Sequence, residues 1–163
     1  MKKSTIFNLV FILLLGAIFA GLYYLKAEQV LQSFWLLMGF VLGWLLLSLD
    51  EMYGQAIYKE KIQTEMPSVS ARSLITRSII FIGAFLVTAL FIITSSGQLL
   101  GIGMVLGICC ILSLEMWQLL PNSSEFHQRF LWQIRRQWSV PELTYLSYGM
   151  VGATLVLTLL FFT

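Results

Sequence analysis

Charge is what this chain has least of. Only 11% of its residues are charged, against about a quarter in a typical soluble domain. That excludes a water-exposed globular surface of ordinary composition. Histidine occurs once, at His127, with no second His or Cys at ligand spacing, so neither a metal nor a cofactor is expected. The two cysteines, Cys109 and Cys110, are neighbours in an apolar run, which suits packing as small hydrophobes rather than a disulfide. There is no phosphate-binding Gly loop, no H-E-x-x-H and no G-x-S-x-G. Ser48 and Ser113 have no histidine near them in sequence, and a nucleophile needs a positioned base. No catalytic residues are expected, and the chain is not expected to be an enzyme.

Apolar sequence fills the space that charge leaves. Hydrophobic residues make up 58% of the chain, with mean hydropathy +0.85. Five apolar stretches, at 6–25, 30–49, 74–94, 99–120 and 143–162, approach or reach the roughly 20 residues that cross a bilayer. The expected fold is all-α: one membrane domain over 1–163, built as a bundle of five transmembrane helices. Met1-Lys2-Lys3 ahead of an apolar run also fits a secretory leader cut after Ala20 or Ala27. The run is longer than a leader core, so it is read as the first span.

The sparse charges are unevenly spread. Under five spans, Lys2, Lys3, Lys59, Lys61, Arg72, Arg77, Arg129, Arg135 and Arg136 fall on one side, and Lys26 alone on the other. Short loops rich in Lys and Arg face the cytoplasm. The expected location is a bacterial-type inner membrane, with the N-terminus cytoplasmic and the C-terminus outside. A basic inner face suits anionic lipid headgroups, not nucleic acid.

The chain also repeats itself. Residues 39–53 read G-F-V-L-G-W-L-L-L-S-L-D-E-M-Y, and 103–117 read G-M-V-L-G-I-C-C-I-L-S-L-E-M-W. Gly39/Gly103, Gly43/Gly107, Glu51/Glu115 and Met52/Met116 coincide without a gap. This predicts a duplicated helical hairpin, repeat 1 at about 5–64 and repeat 2 at about 69–121. Both hairpins enter from the same face, so the repeats are parallel. Gly39-x-x-x-Gly43 and Gly103-x-x-x-Gly107 each put two glycines on one helix face, where another helix can approach closely. The seam lies either between the repeats or between protomers.

Glu51 and Glu115 fall about 120° round the helix from the first glycine of each pair, and Asp50 lies closer to the seam. Carboxylates within a span are costly and often mark ion or proton paths. They fit such a path or a polar lock between subunits. The plainer reading pairs them with Arg72, Arg77 or Arg129 at the cytoplasmic interface.

After the second repeat, Asn122-Ser-Ser-Glu125 fits a capping box. It predicts an amphipathic helix at about 123–138, with Phe126, Phe130, Ile134 and Trp138 on one side and Arg129, Arg135 and Arg136 on the other. Such a helix lies in the interface with its arginines at lipid headgroups. Met66-Pro67 predicts the end of the second helix. Ser139-Val-Pro-Glu142 is a second capping box, opening a fifth span at about 140–163.

The segment Arg77-Ser-Ile-Ile-Phe81, the run from Thr94-Ser-Ser-Gly-Gln to Gly107, and Phe130-Leu-Trp-Gln-Ile134 together resemble small multi-pass membrane proteins predicted from candidate-phylum bacteria. The resemblance implies no activity. Packing chemistry without catalytic chemistry points to a non-enzymatic scaffold or accessory subunit acting through helix contacts, as a homo-oligomer or beside another membrane subunit. The rival is a small ion- or proton-coupled transporter or channel using Glu51 and Glu115. A third reading is an interfacial lipid enzyme using Asp50, Glu51 and His127.

Overall fold

In a bilayer every backbone N–H and C=O must be satisfied internally, and a helix does this within one segment. The computed structural model describes residues 3–65, 75–134, 136 and 138–163, without the side chains of 3–6 and 54–65. These residues form α1 (Lys3–Ala27), α2 (Val30–Glu65), α3 (Ile79–Ser95), α4 (Leu99–Leu119), α5 (Ser123–Phe130) and α6 (Val140–Phe162), with a 3₁₀ turn at Ile75–Arg77 before α3. Among the described residues, four helices contain stretches long and apolar enough to cross a membrane: Phe7–Ala27, Val30–Tyr53, Leu99–Leu119 and Val140–Phe162. The apolar helix α3 is shorter, at 17 residues.

Local chemistry explains the breaks. α1 and α2 are separated by Glu28 and Gln29, and Glu28 takes a left-handed φ of 54° that stops α1. Ser78 caps α3 by accepting a hydrogen bond from the Phe81 N–H at 3.2 Å. Gly97 sits in the reversal from α3 to α4. Pro141 lies in the first turn of α6, where a missing N–H costs nothing.

α4 is the axis of the bundle. Ile102, Val105, Leu106, Cys109, Leu112 and Met116 are all buried, and α1, α2, α3, α5 and α6 all pack on it. Its most extensive partner is α2, which runs parallel to it. The four repeated glycines lie in that contact. A Cβ placed on Gly39 would press into the Leu100 carbonyl oxygen and sit 2.7 Å from the Met104 nitrogen. One on Gly103 would press into the Leu36 carbonyl oxygen. At Gly43 it would lie 2.6 Å from the Met104 oxygen, and at Gly107 3.0 Å from the Phe40 Cα and oxygen. The contacts are reciprocal. Shifted by the 64-residue offset between the two segments, Gly39 on Leu100 becomes Gly103 on Leu36, and Gly43 on Met104 becomes Gly107 on Phe40. Such reciprocity is the signature of a two-fold contact.

The two ends of the bundle are distinct. At one end, Lys26 Nζ donates to the Phe162 carbonyl at 2.6 Å, Tyr23 Oη donates to Gln32 Oε1 at 2.8 Å, and the Phe19 ring packs against Phe40 and Phe162. At the other, Gln118 Nε2 donates to Asn8 Oδ1 at 3.4 Å, close to the start of α3.

Four expectations need correction. The interfacial helix stops at Phe130 rather than near residue 138. Its apolar side is not offered to acyl chains, because Phe126, Phe130 and the following Leu131 are fully buried against the bundle. The Asn122 capping box does not form. Asn122 makes no side-chain cap bond and its Nδ2 donates to Glu125 Oε2 at 3.1 Å instead. The third apolar stretch does not begin its helix at 74; α3 starts at Ile79, after the 3₁₀ turn. By contrast, the Ser139–Glu142 box is complete, and α2 continues past the apolar stretch to Glu65. Met66-Pro67, Arg72 and Arg135 lie outside the described residues.

Overpacking a close-packed contact costs about 1–3 kcal/mol. Gly103→Ala is therefore expected to lower thermal stability in mild detergent by about that amount, and Gly43→Leu with Gly107→Leu by more. Gly83→Ala, with nothing within 4 Å of the added carbon, is expected to change little. Equal melting temperatures for Gly103→Ala and Gly83→Ala would contradict the seam.

Candidate functional site

Four elements converge at the end of the bundle where α1 begins. α2 brings Asp50 and Glu51, the 3₁₀ turn brings Thr76 and Arg77, α4 brings Glu115, and α5 brings Arg129. Their side chains form one ion cluster. Arg77 is 1% exposed and Glu115 is 6% exposed. The two meet in a fork: Arg77 Nε donates to Glu115 Oε2 at 2.7 Å, and Nη2 donates to Oε1 at 2.9 Å. Bidentate charge-assisted bonds of this kind are among the strongest polar contacts available to a protein. Arg77 Nη1 reaches the Leu47 carbonyl at 3.4 Å, tying the pair to α2.

Arg129 closes the cluster from α5. Its Nη2 lies 3.3 Å from Glu115 Oε2 and 3.6 Å from Glu51 Oε1. Glu51 also lies 3.6 Å from Arg77 Nη2. Asp50 accepts a short hydrogen bond from the Thr76 hydroxyl. Arg77 sits ahead of α3, outside the apolar helix. Burial by itself would lower its pKa, but the charge of Glu115, its hydrogen bonds, and the charges of Glu51 and Asp50 outweigh that and raise it. The guanidinium therefore stays charged.

The structure thus brings Glu51 and Glu115 together, with Asp50 beside them. It treats the repeat-related acids unequally. Glu115 is enclosed and holds the fork, whereas the Glu51 side chain is 31% exposed and holds only the two longer contacts. Arg129 turns its Nη2 toward Glu115 and Glu51, with its side chain 23% exposed. Arg136 is exposed and pairs with Glu142 at 2.8 Å. His127 bonds through Nε2 to the Arg136 carbonyl oxygen at 2.6 Å, not to the acids.

A half-open cavity of about 110 Å³ adjoins the cluster, lined by Asn8, Ser48, Glu51, Arg77, Gln118 and Arg129 among others. The sequence pattern does not single out Asn8, and Ser48 enters it only as a nucleophile without a base. One signal was there: Asn8 is the only amide inside the first apolar stretch, where a buried polar group needs a partner.

Removing one member of a buried ion pair strands the other and costs about 3–5 kcal/mol, whereas replacing both with apolar residues is often neutral. Arg77→Met is expected to destabilise the protein by about that amount, read as a lower unfolding temperature in detergent. Adding Glu115→Leu to Arg77→Met is expected to recover most of the loss. Additive losses in the double variant would show that the two side chains act separately.

No protein-family model, curated protein or solved structure matches this chain.

Proposed function

We propose that the protein is a non-enzymatic membrane scaffold or accessory subunit with five spans, built on a duplicated parallel hairpin. The observation that carries this reading is the engagement of both repeat-related carboxylates. Glu115 is forked by Arg77, and Glu51 lies within 4 Å of both Arg77 and Arg129. A proton or cation relay needs a carboxylate that can change its charge along a path. Acids compensated by two arginines suit a polar lock better. The glycine seam is internal to the chain, so contacts with another copy or another subunit fall to the exposed apolar faces of α1, α2, α3 and α6, such as Leu14, Leu46, Phe91 and Leu159.

The fifth span is α3. Its 17 residues cover about 25 Å, short for a hydrocarbon core of about 30 Å, and local thinning accommodates the difference. Support comes from its ends: it starts beside Arg77 at the ion cluster, and the turn after it opens α4 at the opposite end. The basic loops then face the cytoplasm of a bacterial-type inner membrane.

Topology is checked by labelling. With Cys109 and Cys110 replaced by Ala, Gly97→Cys is expected to react with an impermeant maleimide from outside intact cells, and Ser124→Cys only after lysis. The reverse pattern would overturn the orientation.

Function is checked in two arms. Proteoliposomes of the wild type are expected to dissipate proton, sodium and potassium gradients no faster than empty vesicles. Extraction from the native membrane in mild detergent is expected to give a complex larger than the single 18.5 kDa chain. Flux that falls with Glu51→Gln or Glu115→Gln would replace the scaffold with a transporter. A lone monomer in the extract would remove the scaffold.

A further inference from the structure

The cavity beside the ion cluster is lined by polar side chains outside the Arg77–Glu115 fork, and one of them carries an unpaired buried donor. Asn8 is 7% exposed; its Oδ1 accepts from Gln118 at 3.4 Å, and its side chain lines the cavity. Ser48, partly buried, lines the same cavity. Arg129 Nε, in the cavity wall, is buried with no acceptor. Leaving a buried donor unpaired costs about 1–3 kcal/mol, so Arg129 Nε, with the Asn8 amide and the Ser48 hydroxyl on the same wall, favours an acceptor oxygen in the cavity. Against them stands Glu51, 31% exposed on its side chain and held only at 3.6 Å by each arginine. Of the two acids that line the cavity, Glu51 is the more exposed and has a face left for a cation.

We propose that this cavity binds the zwitterionic headgroup of an aminophospholipid, with Arg129, Asn8 and Ser48 donating to the phosphate oxygens and Glu51 accepting from the ammonium. The inference rests on the membrane reading of the chain. A purely anionic headgroup would leave the exposed face of Glu51 without a cation. A purely cationic ligand would face Arg77 and Arg129. A phosphate and an amine two carbons apart answer both signs within a cavity of about 110 Å³. Its depth fits too: Asn8 lies in the second turn of α1, and Glu115 one turn before the end of α4, which is where a bundle of this length meets the headgroups of one leaflet.

The test uses the full chain, purified in mild detergent and re-equilibrated with equal amounts of phosphatidylethanolamine and phosphatidylglycerol. Retained lipid is counted by native mass spectrometry. The wild type is expected to keep one phosphatidylethanolamine with about tenfold preference, the effect of roughly one charged contact. Glu51→Gln is expected to bring the ratio close to one with the unfolding temperature unchanged. Asn8→Leu, which fills the cavity, is expected to abolish retention of both lipids.

Soluble phosphoethanolamine is added in a further arm. Displacement of the lipid assigns recognition to the headgroup alone; failure to displace assigns it to the membrane-held lipid. A wild type that keeps both lipids in the supplied ratio or keeps neither, or a Glu51→Gln variant that keeps the preference, would overturn the proposal. The measurement does not depend on which side of the membrane this end faces, so a failure of the labelled topology is told apart from a failure of the site.

Discussion

The structure depends on how closely α2 and α4 approach. In a bilayer, burying apolar side chains gains little over leaving them in lipid, so helices associate through packing and polar contacts. Gly39, Gly43, Gly103 and Gly107 remove the side chains that would hold the two backbones apart. Carbonyl oxygens of Leu36, Phe40, Leu100 and Met104 fill the space. α4 then becomes the surface on which the remaining helices settle, and its residues from Ile102 to Met116 are largely buried.

That seam is two-fold in its contacts, but the charges around it are not. The related acids would be equivalent if each met its own arginine. Only α4 receives one in a fork, because the turn before α3 lies against Glu115, while Glu51 on α2 keeps a side open to the cavity. α5 then adds Arg129 between them. The burial of Phe126 and Phe130 holds α5 in place for this, so an element that looks like a surface helix becomes part of the core. The outcome is a cluster of three acids and two arginines in which Glu51 is left partly available. The scaffold reading leans on the compensation, and the lipid reading leans on the partly available acid.

Some of this was legible in the chain. The register of the four glycines and the Ser139–Glu142 box are local patterns, and local patterns survive folding because their partners are a few residues away or repeat at a fixed offset. The amphipathic stretch after Asn122 misled for the same reason. Its four-residue spacing describes a helix with an apolar face, but spacing carries no information on whether that face meets lipid or protein. Nor does spacing show that Arg129 reaches Glu115 and Glu51. Arg77 stood among the candidate partners of the acids, yet nothing in its neighbourhood separates it from Arg72.

Sequence by itself determined that the chain is apolar and helical, that two of its segments are alike, and which small residues let helices meet. Those properties follow from hydropathy, backbone satisfaction and side-chain volume, all short-range. Only the tertiary structure decided that the glycine pairs face each other within one chain and that Arg77 forks Glu115 across 38 residues. It also decided that Asn8, Ser48 and Glu51 share a cavity. Those are choices among long-range partners, made by which helix packs on α4 and at what height, and a charge buried there is tolerated only where a partner arrives from a distant part of the chain.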